Sequence, residues 1–142
     1  MSGKDSEIGF NLRLQLSSEH DSVRRAVDET RSFVGEHVGD DDLAYRIVLV
    51  VSEAVANAVE HGNEYDQDKQ VRVELQWGDA AGMTIVVEDE GAGFDSSAAG
   101  PMLPEEVTRE DGRGLFIIHE MADDVRYENE GRRLHARLRR TE

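Results

Sequence analysis

The sequence predicts a two-layer α/β sandwich, with one mixed, mostly antiparallel sheet carrying its helices on one face. Three observations lead there. Period-two and helical hydrophobic patterns follow one another in the order β-α-α-β-β-loop-α-β-β. The later strands come as adjacent pairs joined by short turns, the usual connection of antiparallel neighbours. Finally, 142 residues at 38% hydrophobic composition suffice for one domain with its own core across residues 1–142.

Each element has its own signal. "FNLRLQL", residues 10–16, alternates apolar and polar side chains as a half-buried strand does, and Ser17 or Ser18 offers a helix cap after it. From Glu19 to about Val38, the residues Val23, Ala26, Val27, Thr30, Phe33 and Val34 recur at helical spacing, and Gly39 stands where that helix would stop. Asp40, Asp41 and Asp42 open a second helix running from about Asp41 to His61 and ended by Gly62 and Asn63. "QVRVELQW" and "MTIVVEDE" form a hairpin across "GDAAG". A loop follows that holds both prolines, Pro101 and Pro104. Helical spacing resumes through Leu115, Ile118 and Met121, and "DVRYENEGRRLHARLRR" closes the chain as two strands around "NEG". No internal repeat is visible.

Charge and composition remove several function classes. Thirty-one acidic residues against 16 basic ones give a net charge of -15, a field that repels nucleic acid and anionic lipid. Neither is expected as a direct partner. In "RRLHARLRR" the alternation of Leu134, Ala136 and Leu138 with Arg133, His135, Arg137 and Arg139 reads as an edge or half-exposed strand rather than a nucleic-acid patch. The absence of cysteine excludes disulfides, thiolate metal sites and cysteine nucleophiles. "MSGKDSEIGF" has no apolar core of signal-peptide length and no apolar run would span a bilayer. The expected location is the cytoplasm.

Three segments carry chemistry. In "VSEAVANAVEHGN" the side chains Glu53, Asn57 and His61 lie four residues apart, and at about 100° per residue they form one slanted polar stripe. Ile47, Val51, Ala54, Val55 and Ala58 fill the adjoining apolar sector, so the stripe borders the core and needs internal partners or a ligand. Asn57 offers a neutral carboxamide oxygen to Mg²⁺, and Glu53 can orient and deprotonate an attacking hydroxyl. A zinc site is excluded, because asparagine is a poor zinc ligand and the spacing is not HExxH. His61 reads as a structural hydrogen-bonding residue near the helix end.

In "VVEDEGAGFD", Asp89 ends an apolar strand ahead of Gly91 and Gly93. Glycines there let the backbone lie against a ligand, and the carboxylate can accept a hydrogen bond from an exocyclic amine such as that of adenine. A tight surface turn capped by Asp89 accounts for the same residues. "EDGRGLFII" enters a helix at Gly112 and Gly114, where free N–H groups beside Arg113 make an anion site or, equally, a glycine-rich junction. No P-loop string occurs and no lysine follows Lys69, so a triphosphate would rely on Mg²⁺, helix N–H groups and arginine.

Together "EAVANAVEHGN", "DEGAGFD" and "GRGLFII" resemble the N box and the two glycine boxes of the GHKL, or Bergerat-fold, ATP-binding domains. The likeness is closest to bacterial anti-sigma factor serine/threonine kinases and runs from about Phe10 to Arg140. It implies Glu53 as catalytic base and Asn57 as the Mg²⁺ ligand. It implies ATP contacts from Asn57, Asp89, Gly91, Gly93, Phe94, Gly112, Arg113, Gly114 and Leu115, with Asp89 reading the adenine and residues 96–111 as the ATP lid. It also implies two partners, a sigma factor that is sequestered and an anti-anti-sigma antagonist that is phosphorylated on serine or threonine, and a homodimer. Two other readings compete: an ATP-binding anti-sigma module without catalysis, and a stand-alone histidine-kinase catalytic module. The few residues ahead of the first strand carry no helical pair with a phospho-accepting histidine, which argues against the latter.

Overall fold

Strand alternation decides which side of the sheet meets the helices. The computed structural model describes residues 9–78, 80–92 and 110–139. Its elements are β1 (Phe10–Ser17), α1 (His20–His37), α2 (Asp41–Asn57), β2 (Gln70–Gly78), β3 (Gly82–Glu88), α3 (Glu110–Met121), β4 (Asp124–Glu128) and β5 (Arg133–Leu138). The strands form one sheet in the order β1-β2-β3-β5-β4. Every pairing is antiparallel, so the sheet is not mixed. The reason lies in the connections. β3 and β4 run the same way across a single helix, but β5 inserts between them and pairs with both.

On the helix side, Val71, Val73, Leu75, Trp77, Met83, Ile85, Val87, Leu134, Ala136 and Leu138 are all buried. They face Leu43, Ile47, Val50, Val51, Ala54 and Val55 of α2 and Phe33 and Val34 of α1 in one continuous core. Truncating one of the larger members to alanine costs about 2–5 kcal/mol. α2 is the central helix, packed against both α1 and α3. Asp40 caps it by accepting from the Leu43 N–H at 3.1 Å.

Local details differ from the sequence reading. The residue before α1 is Glu19, and its side chain makes no cap bond. Ser18, expected as a cap, is buried and donates to the Lys69 carbonyl oxygen at 2.9 Å. α3 starts at Glu110 rather than after residue 111, so the expected lid overlaps its first turn. β5 is the half-exposed strand expected, but it lies inside the sheet, with β4 forming the edge on that side.

The other face of the sheet carries no helix among the described residues. A cross-strand row joins Arg72, Glu88, Arg133 and Glu128 there. Glu88 is only 7% exposed. Burial pushes its carboxyl up, but the Asn129 amide at 2.8 Å, Arg72 at 3.1 Å and Arg133 at 3.4 Å outweigh that and hold it below the ordinary glutamate value. A depression of about 540 Å³ lies over this row, on the side away from the three motifs. Among the described residues, no helix is long and apolar enough to cross a membrane.

Candidate functional site

The site begins where α2 changes its winding. After Asn57 the backbone widens into a π-helical turn, Ala58–Gly62, closed by the Asn63 N–H donating five residues back to the Ala58 carbonyl at 2.8 Å. Such turns are often found at functional positions. The wider turn changes the angular register past Asn57, so the expected three-residue stripe is broken. His61 is exposed, so it does not continue the half-buried border formed by Glu53 and Asn57. Glu53 and Asn57 remain half-buried on the core border. Burial first, and the charge of Glu60 second, push the Glu53 carboxyl above its usual value. The Asn57 Nδ2 is buried without a hydrogen-bond partner among the described residues. An unmet carboxamide one turn from a carboxylate with raised proton affinity suits a centre completed by a ligand. Asn57 is the group here that suits a hard cation, because the two ends of a carboxamide are interchangeable in shape and its oxygen is an acceptable ligand.

The end of the π turn lies directly on the Asp89 turn. A Cβ built on Gly62 would overlap the Asp89 carboxylate, and one on Gly91 would overlap the Gly62 carbonyl oxygen. Only glycine at both places permits this approach. Asp89 Oδ1 accepts from the Gly91 N–H at 2.8 Å. Burial pushes the Asp89 carboxyl up, while the Gly91 bond and the positive charges of Arg132 and Lys69 pull the other way and Glu88 adds to the rise.

Asn63 locks the two segments together. It is 1% exposed. Its Nδ2 donates to the Ser18 hydroxyl at 2.7 Å and to the Gln70 carbonyl at 3.0 Å, and its Oδ1 accepts from the Glu90 N–H at 2.8 Å. From the other side, the Arg132 Nε donates to the Gly91 carbonyl at 2.7 Å.

The third segment approaches through α3. Arg46, near the start of α2, donates to the carbonyl of Met121 at the end of α3, at 3.2 Å. At about 1.5 Å rise per residue, Asn57 lies roughly 16 Å along α2 from that contact, and Gly112 lies roughly 13 Å back along α3. With the two helices packed together, the first turn of α3 is directed toward the Asn57 end. Gly112, Arg113 and Gly114 belong to that turn, whose leading N–H groups lack helical partners. Leu115, expected beside the nucleotide, packs against the core. Gly93, Phe94 and lid residues 96–109 lie outside the described residues, as does the Arg113 side chain.

The sequence reading missed Asn63, Ser18 and Arg132 as members of this cluster, and treated Gly62 only as a helix stop. "HGN" gave a signal for Gly62 and Asn63. Arg132 gave none, being one arginine among several in a hairpin whose spacing says nothing about a turn 40 residues away.

Comparison with known proteins bears on the same elements. The model of the histidine kinase-like ATPase domain matches residues 16–139. The chain is similar to an anti-sigma F factor of Priestia megaterium, 29% identical over 123 residues that cover 84% of this chain and 82% of that protein. It is also similar to a serine-protein kinase RsbW of Bacillus subtilis, 34% identical over 89 residues covering 57% of this chain and 54% of the kinase. That match therefore spans about half of the kinase. Among solved structures, the RsbU and RsbW domains of a Mycobacterium tuberculosis protein superpose with a TM-score of 0.64 at 21% identity, covering 91% of this chain and 31% of that one. At that identity the likeness speaks for the fold alone.

Proposed function

The chain belongs to the histidine kinase-like ATPase domain family, and from that premise we propose that it is an ATP-binding anti-sigma factor with serine/threonine kinase activity. It holds a sigma factor and phosphorylates a serine or threonine on the antagonist that would otherwise displace it. Among proteins similar to it, one is named an anti-sigma F factor and others are named serine-protein kinases. The single observation that carries the reading is the contact of Gly62 with Asp89, which joins the helix bearing Glu53 and Asn57 to the glycine turn.

Each residue then has a defined task. Asp89 accepts from the exocyclic amine of adenine, and Gly91, Gly93 and Phe94 supply further contacts with the nucleotide. The first turn of α3, with Gly112, Arg113, Gly114 and Leu115, faces the phosphates, where free N–H groups and the positive dipole end favour an anion. Asn57 holds Mg²⁺. The ion, when bound, offsets phosphate charge. Glu53 takes the proton of the incoming hydroxyl, a task that its raised proton affinity favours. The protein works in the cytoplasm as a homodimer.

Incubation with radiolabelled ATP, Mg²⁺ and candidate antagonists from the same genome tests this. Label on the antagonist, and release of the sigma factor by unphosphorylated antagonist, is the expected result. Bound ATP with no phosphoprotein would replace the kinase by a nucleotide-shaped clamp.

A further inference from the structure

We propose that Arg132 is a positioning residue for base recognition: with its side chain and its own carbonyl it clasps residues 89–92 and sets the direction in which Asp89 presents its carboxylate. The inference rests on the reading of Asp89 as the group that meets the adenine amine. The Asp89 N–H donates to the Arg132 carbonyl oxygen at 3.0 Å. In return the Arg132 Nε donates to the Gly91 carbonyl at 2.7 Å, and Nη2 reaches the Ala92 carbonyl at 3.4 Å. One residue thus holds both ends of the turn. Between them, Asp89 Oδ1 is held by the Gly91 N–H, and Oδ2 lies against Gly62 with no hydrogen bond from a described residue. A carboxylate fixed in this way, with acceptor capacity left over, can meet an amine from a ligand.

Arg132 is itself anchored. Its Nη1 donates to the Asn129 carbonyl at 3.2 Å and to Glu130 Oε1 at 3.0 Å. The turn before it takes left-handed backbone at Asn129, Glu130 and Gly131, a shape that turns the chain sharply enough to aim residue 132 back across the sheet. The guanidinium is mostly covered, with 26% of the side chain exposed. Only a planar fork supplies Nε and Nη2 to two successive carbonyls while Nη1 faces the opposite way, so lysine can keep the charge but not the clasp. The positive charge also opposes the burial that favours a protonated Asp89. That matters for base choice. An ionised carboxylate accepts from the amine of adenine, whereas a protonated or misdirected one no longer penalises a base with a carbonyl at that position.

The test compares ATP with inosine triphosphate, which has a carbonyl in place of the exocyclic amine. Calorimetric titrations of each nucleotide with Mg²⁺ into the wild-type chain, Arg132→Gln and Arg132→Lys give an ATP-to-inosine-triphosphate affinity ratio for each protein. Loss of the clasp in Arg132→Gln is expected to shrink that ratio by about tenfold, with Arg132→Lys in between. A purely structural role would weaken both nucleotides alike and leave the ratio unchanged, which overturns the proposal. Should Arg132→Gln fail to fold, Arg132→Lys carries the test on the same ratio. A wild-type chain without preference for ATP would instead remove the reading of Asp89 and leave the clasp without a function.

Discussion

Asn63 makes three hydrogen bonds in full burial, while Asn57, on the same helix end, buries an Nδ2 that has no partner among the described residues. The same contrast holds for the segments around them. The Asp89 turn is fastened by Asn63 through Glu90, by Gly62 through contact and by Arg132 through two carbonyls. Around Glu53 the polar groups are half-buried, raised in proton affinity or unbonded. A rigid half suits the reading of a base, whose shape is constant. An unsatisfied half suits phosphates and metal, whose charge completes it when they arrive, and such a half costs stability in the free protein. The pair teaches that stability and function are distributed unequally along one short stretch of chain.

The largest expected effect breaks the unsatisfied half. Glu53→Gln should lower phosphotransfer to the antagonist by about 10²- to 10⁴-fold while leaving the ATP dissociation constant within about twofold. Normal labelling of the antagonist by this variant would remove Glu53 as the base. In the fastened half, Asn63→Ala leaves the Glu90 N–H and the Ser18 hydroxyl short of a partner. A loss of about 2–4 kcal/mol in urea denaturation is expected, and a loss under 0.5 kcal/mol would mean that water replaces the amide.

Gly62→Ala sharpens the comparison, because its methyl group must displace the Asp89 carboxylate. A destabilisation of about 1–3 kcal/mol should accompany weaker ATP binding. Retained affinity would show that the carboxylate does not need its present place. The smallest effect concerns pH. Glu53 is raised in the folded state, so the folded protein binds its proton more tightly than the unfolded chain does. Stability from this group is complete below the unfolded glutamate value and is lost as pH rises through the folded one. Glu53→Gln should therefore melt higher than wild type at neutral pH, with the gain vanishing in acid. A gain that is constant with pH would mean that the ionised carboxylate is not the source of the cost.

Much of the fold was legible because it rests on local periodicity. The alternation in "QVRVELQW" and the helical recurrence of Ile47, Val51, Ala54 and Val55 report burial directly, since each side chain's face follows from its own position in the chain. Glu53, Asn57, Asp89 and Gly91 stood out for a similar reason, as polar or glycine residues directly bordering an apolar pattern. The π-helical turn left no such mark. Its existence depends on where Asn63 finds hydrogen bonds on β2 and beside Asp89, partners that only the folded chain supplies.

The amino-acid order alone determined the α/β class, the faces of the strands and helices, and the three segments that bear polar and glycine residues. Tertiary structure decided that β5 inserts between β3 and β4, that Gly62 meets Asp89, and that Arg132 reaches Gly91. The division is physical. Periodicity encodes which side of an element avoids water, whereas a close approach of two backbones or a guanidinium held by distant carbonyls depends on the relative placement of elements, which no local pattern contains.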